Sequence, residues 1–193
     1  MPAHIRLAVS DDAQSLPRIE RSAAQAFHGI AELSWLADAP VMTVDRHRAL
    51  IAQSTCWIAV DTQEQPQGFL SAERQGSDLH IHELSVSQPM QGHGLGRKLL
   101  EAAMEHARSN QLHCVTLTTF TQVPWNAPFY QRLGFEQHTG ATLDERLAEI
   151  LAREYACGFE AGSRCAMSWQ VIGDSVEEPG TKEVVPEKPD NPR

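Results

Sequence analysis

Nowhere in this chain of 193 residues does an apolar run approach the roughly 20 residues that a membrane span requires. The opening segment, MPAHIRLAVSDD, lacks the basic-then-apolar layout of an export signal, so the expected location is the cytoplasm. Cysteine is sparse as well. Cys56, Cys114, Cys157 and Cys165 are scattered with no C-x-x-C pair, which argues against a zinc ribbon or redox motif and for reduced thiols. Positive charge is in deficit: 16 Lys and Arg face 25 Asp and Glu, for a net charge of −9. Such a surface repels polyanions, which argues against sequence-independent binding of DNA or RNA, although a locally basic pocket for one anionic cofactor is still allowed. With 41% hydrophobic and 21% charged residues, the composition is that of a globular chain with one good core.

What is present is an alternation of strand and helix patterns. HIRLAV (4–9) reads as an opening strand, followed by a helical region to about Phe27 that Pro17 interrupts or bends. Residues 30–42 carry no secure pattern, and 43–54 have helical spacing through Val44, His47, Leu50 and Ile51. TCWIAVDT (55–62) and QGFLSAERQ (67–75) predict a hairpin across the turn-like QEQPQ, and DLHIHELSV (78–86) a further strand. A glycine loop then leads into a helix to about Asn110, with Leu95, Leu99, Leu100, Ala103 and Ala107 on one face. HCVTLTTF (113–120) is a β-branched strand, and strand–helix–strand order predicts parallel pairing with 78–86. NAPFYQRLGF (126–135) predicts a short helix stopped by Gly134. A final strand pair, 135–139 and 164–171, encloses a helix over 143–156. The domain is thus expected over 1–172. The Pro-rich, charged segment 173–193 has the composition of a disordered tail.

The loop is the most informative stretch. A helix that follows a strand leaves its first amides unpaired with the positive end of the helix dipole behind them, and glycines let that backbone approach an anion. Gln91-Gly92-His93-Gly94-Leu95-Gly96 is G-x-G-x-G in mid-chain, which departs from the G-x-G-x-x-G of dinucleotide folds. Arg97-Lys98-Leu99 follows the last glycine, where a P-loop needs Lys and then Ser or Thr.

The segment resembles the pyrophosphate loop of the GNAT family, the Gcn5-related N-acetyltransferases, whose signature is [QR]-x-x-G-x-[GA] between a central strand and a helix. Pro89 stands one residue later than family members often place it, which implies a reshaped turn ahead of an intact loop. PWNAPFYQRLGF (124–135) resembles a second family element through Asn126, Phe129, Tyr130, Gly134 and Phe135. The resemblance spans roughly Ile5 to Gln170. It implies an α/β (α+β) GNAT fold: a mixed, mostly antiparallel sheet of six to seven strands, flanked by helices and splayed at the parallel pair around the CoA site.

It also implies acetyl-CoA as co-substrate, no metal, and transfer of the acetyl group to a primary amine of a small molecule or peptide. The backbone from Gln91 through Gly92, His93, Gly94, Leu95 and Gly96 to Arg97 would hold the pyrophosphate. Leu84, Ser85 and Val86 would bond the pantetheine arm, with Asn126 and Phe129 opposite, and the Val86 amide would face the thioester carbonyl. Tyr130 is the candidate general acid, because a phenol is protonated at neutral pH and a departing thiolate needs a proton. Glu83, read as alternating with Ile81 and Ser85, is the candidate general base, and a structural role weighs evenly against it. Some relatives carry a glutamate where Thr118 stands. His80 and His82 form an H-x-H pair with no third ligand at a telling spacing, so hydrogen-bonded strand histidines are expected rather than a metal site. Trp35, Trp57 and Phe69 are acceptor-pocket candidates for which core packing is the simpler role. A homodimer is compatible with this reading, whereas nucleic-acid and membrane partners are not expected. The competing readings are a non-catalytic acyl-CoA sensor, which needs neither Tyr130 nor Glu83, and a nucleotide-binding regulator.

Overall fold

Five consecutive buried residues, Cys56–Val60, build a strand covered on both faces, and that requirement organises the whole molecule. The computed structural model describes residues 3–171; the expected tail from 173 lies outside the described residues. Among the described residues, seven strands form one sheet: β1 (His4–Leu7), β2 (Cys56–Val60), β3 (Pro66–Gln75), β4 (Asp78–Val86), β5 (Cys114–Phe120), β6 (Glu136–His138) and β7 (Arg164–Gln170). Their spatial order is β1-β2-β3-β4-β5-β7-β6. Among the described residues only β4 and β5 pair in parallel, joined by the expected crossover helix, while the other neighbours are antiparallel.

Alternation along the strands divides the core. Trp57 and Ala59 turn to a back face with Val115, Leu117 and Met167, where α3 (Leu95–Ser109) and α4 (Ala127–Gln131) pack. Ile58 and Val60 turn to the front with Phe69, against α1 (Leu16–Ala24). The front also carries α2 (Val44–Ala52), capped by the Thr43 hydroxyl, and α5 (Glu145–Ala156), whose Leu147 and Leu151 meet Ala166 of β7. All five predicted apolar positions of α3 are buried. No helix among the described residues is long and apolar enough to cross a membrane.

Two open readings are resolved. The helical region is interrupted near Pro17 rather than bent by it. This proline sits in the first turn of α1, where its missing N–H costs nothing, and a separate 3-10 turn, Ser10–Gln14, precedes it. Trp57 and Phe69 are core residues, whereas Trp35 is half exposed and lies against Phe159.

The front core contains one unusual member. His47 is fully buried, set edge-on against Phe69, with neither ring nitrogen hydrogen-bonded. Burial pushes its pKa down from 6.5 to about 4, so the native ring is neutral. An unfolded histidine binds a proton below about 6.5, and the folded one resists down to about 4, so acidification through that window favours unfolding. Urea unfolding of the wild type should therefore lose about 2 kcal/mol more between pH 7 and pH 5 than that of His47→Leu. Equal losses would place the acid sensitivity elsewhere.

Candidate active site

β4 and β5 stay paired only through Ile81 opposite Leu117, although β4 runs on to Val86 and β5 to Phe120. Beyond that point the strands part. The gap opens into a cleft of about 710 Å³ lined from both faces of the sheet. Ser87 N–H donates to the Gln67 carbonyl of β3 at 2.8 Å. By antiparallel alternation, the backbone groups of Leu84 and Val86 then face the other way, toward the gap. Apart from the Val86 carbonyl, which the Gln91 side chain takes, they form an open strand edge inside the protein, which natural folds rarely leave without a partner.

A bulge aims the side chains. Ala72 pairs with Ile81 but Ser71 with Glu83, so His82 is an extra residue in β4. Simple alternation places Glu83 on the same face as Ile81. The bulge corrects this: Ile81 stays in the back core, while Glu83 opposes Ser71 and shares the front with Ser85, whose hydroxyl donates to it at 2.7 Å.

At one end of the gap, Gln88–Met90 forms a 3-10 turn containing Pro89, and the loop then enters α3. Gly92 and Gly94 have φ of +76° and +79°, and a Cβ on either would point into open space. Gly94 is the N-cap, and helical bonding starts with Lys98 N–H on its carbonyl at 3.1 Å, so the amides ahead of it are free to meet an anion. Gly96 needs no left-handed backbone, and its nearest neighbour is Phe129. The Gln91 side chain donates to the Val86 carbonyl at 3.1 Å and the Ala23 carbonyl at 3.4 Å, tying the loop to β4 and α1. His93 is exposed with its ring on the Gln91 carbonyl; the other site residues expected from the sequence all line the cleft.

Opposite β4, Asn126 donates to Thr119 at 2.7 Å, while its Oδ1 is buried with no partner. Such an acceptor costs free energy unless a ligand N–H reaches it. Tyr130 packs between Phe129 and Phe135, and burial, reinforced by the charge of Glu83, holds its hydroxyl firmly protonated. Burial also raises Glu83, against the pull of the Ser85 hydroxyl and Arg164.

Two carboxylates here escaped the sequence reasoning. Glu20 of α1 lines the cleft, accepting the Met42 amide on both oxygens at 3.1 and 3.2 Å. Burial and the charge of Glu83 push it up from 4.5 to about 8. One sign was available: Glu20 falls four residues after Leu16 and one after Ile19, at the edge of the buried stripe of α1. Glu154 of α5 has its carboxylate beside Thr118, whose hydroxyl donates to it at 2.7 Å, but Arg164 binds it at 2.6 and 3.0 Å. That pairing, with the Thr118 hydroxyl, engages both of its oxygens within the protein. His80 and His82 stand 5.2 Å apart and are engaged, by Thr116 and by Glu73.

A carboxyl raised in the folded state adds stability below its unfolded pKa and loses it as pH climbs through the folded value. Between pH 6 and 9 the wild type should lose on the order of 1 kcal/mol more than Glu20→Gln in urea titrations. An identical pH dependence would mean that Glu20 titrates normally.

The model of the Acetyltransferase (GNAT) family matches residues 20–135. Among curated proteins, a peptidyl-lysine N-acetyltransferase, YjaB of Salmonella typhimurium, is 23% identical over 145 residues, covering 75% of this chain and 91% of that one. Among solved structures, the PaiA N-acetyltransferase of Thermoplasma acidophilum in complex with coenzyme A superposes with a TM-score of 0.65 at 16% identity, covering 88% of this chain and 99% of that one. N-acetylglutamate synthase of Neisseria gonorrhoeae, complexed with coenzyme A and N-acetyl-glutamate, gives 0.63 at 17% identity, covering 90% of this chain and 36% of that one.

Proposed function

The chain belongs to the acetyltransferase (GNAT) family, and on that premise we propose that it transfers an acetyl group from acetyl-CoA to a primary amine of a small molecule or peptide. The observation that carries this reading is the parting of β4 from β5, with a glycine-lined helix N-terminus at one end and Tyr130 and Glu83 on its walls. The residues fit the cofactor on three counts. The amides from Gly92 to Arg97 suit a pyrophosphate. The open edge of Leu84 and Val86 suits an extended amide-bearing arm. The unpartnered Asn126 Oδ1 suits one N–H of that arm.

Acetyl-CoA, once bound, supplies an acyl carbon activated as a thioester. The remaining tasks belong to the chain. Val86 offers its backbone N–H toward the carbonyl oxygen, where negative charge grows. Glu83, with a raised pKa, accepts the proton that the acceptor amine must shed before it can attack. Tyr130 donates its hydroxyl proton to the departing sulfur, a role that requires the phenol to be protonated, as burial ensures. The aromatic packing of Tyr130 fixes the ring, so the proton is delivered from one direction.

Tyr130→Phe preserves that packing and removes only the proton. In a thiol-release assay its kcat should fall about 100-fold or more. Its affinity for CoA, by calorimetry, should stay within about two-fold, since one hydroxyl is lost and the loop is untouched. Undiminished turnover would remove the acid role. CoA binding with no turnover of any amine by the wild type would favour a non-catalytic acyl-CoA sensor.

A further inference from the structure

The two halves of the cleft differ in chemistry. Asn126, Tyr130 and the glycine loop belong to the back, as do the side chains of Leu84 and Val86. The front half, from which an acceptor must approach, is walled by Phe27, Leu36, Val41, Phe120, Trp125 and Phe159. Phe120 bridges Phe27 and Phe159 at centroid distances of 5.7 and 5.5 Å, and Trp125 meets Phe27 at 5.7 Å.

Most polar groups on the front walls are already engaged within the protein. The Thr118 hydroxyl and the Arg164 Nε and Nη2 groups are on Glu154, and His82 is on Glu73. Glu20 and Glu83 are different. Glu83 has the Ser85 hydroxyl and the adjacent Leu84 backbone N–H, and Glu20 one backbone amide, that of Met42. A cation stands near each: Arg164 is neutralised by Glu154, and Arg21 adjoins Glu20 on α1. His47 is buried and unpartnered, with its Nε2 3.8 Å from Glu20 Oε2, and as a neutral ring it adds no countercharge.

We propose that the front half of the cleft takes a small primary amine carried on an aromatic or otherwise bulky apolar body, received as its ammonium between Glu20 and Glu83. The inference rests on the transferase reading above and names its substrate class. The aromatic wall rewards an apolar body by burial. An ammonium placed between Glu20 and Glu83 relieves their mutual repulsion and favours their charged forms, so the pair rewards one ammonium. A second ammonium gains little, because the Arg164 guanidinium already covers the rings of Phe120 and Phe159 at 4.7 and 4.9 Å. An acceptor carboxylate meets Glu83 and an arginine already neutralised by Glu154.

The test is a thiol-release assay on the full chain with saturating acetyl-CoA and 2-phenylethylamine, tryptamine, spermidine, phenylalanine or a short lysine peptide as acceptor. The two aryl amines should show kcat/KM about ten-fold or more above the other three, the scale of one buried charge or one buried apolar group. Spermidine, phenylalanine or the peptide matching them would overturn the inference and leave the transferase reading standing. No turnover of any amine would instead overturn that reading, and the inference with it. In Glu20→Gln, which keeps an acceptor for the Met42 amide, KM for 2-phenylethylamine should rise about ten-fold while KM for acetyl-CoA stays within about two-fold. Trp125→Ala, at an exposed position that spares the core, should narrow the preference for 2-phenylethylamine over spermidine about three-fold or more. Unchanged KM in the first variant and an unchanged ratio in the second would overturn the carboxylate and aromatic halves of the proposal respectively.

Discussion

The structure depends on the point where β4 and β5 stop bonding to each other. Up to Ile81 and Leu117 they form the one parallel ladder among the described strands, and the crossover helix α3 packs over the back of it. Past that point each strand keeps only its outer neighbour, β3 on one side and β7 on the other. The parted strands leave backbone groups facing a gap in the middle of a sheet, a costly arrangement unless something pairs with them. The loop, the bulge and the aromatic walls all follow from how that gap is bordered.

The border is built from both faces of the sheet, which gives the two sides different tasks. The back contributes rigid packing: Tyr130 is held by Phe129 and Phe135, and Asn126 by Thr119. The front contributes charge. The His82 bulge moves Glu83 across the sheet from the face simple alternation gives it, bringing it into the electrostatic reach of Glu20 on α1 and Tyr130 on α4. Carboxylates in so little water cannot all remain ionised at ordinary cost, and their raised pKa values express that constraint. Arg164 removes Glu154 from the contest by pairing with it, so the competition over protons falls to Glu20 and Glu83.

Much of this was legible in the residues. Strand and helix periods located β2 to β5 and α3 to within a residue or two, and the parallel pairing followed from the order of elements. The glycine loop was readable because Gly92 and Gly94 do what only glycine does cheaply, holding φ near +80° at a helix entrance. The front of the site was harder to see. The bulge has no residue signature in DLHIHELSV, so alternation misassigned the face of Glu83. Glu20 reaches the cleft, and Glu154 its wall residues Thr118 and Arg164, from helices 63 residues before and 71 residues after Glu83, through tertiary packing that no local pattern encodes. Residues 30–42, which carried no periodicity, form the 3-10 segment Ala31–Asp38 and the chain after it, supplying Leu36, Pro40 and Val41 to the wall.

The central claim is that the gap between β4 and β5 is completed by an extended cofactor arm whose pyrophosphate rests on the α3 N-terminus. Amide hydrogen exchange on the full chain, with and without CoA, tests it most directly. Exchange should slow at Leu84, Val86 and the amides from Gly92 to Arg97, while the amides of β1 and β2 stay unchanged. Protection absent from those residues in the presence of bound CoA, or produced equally by ATP, would contradict the account.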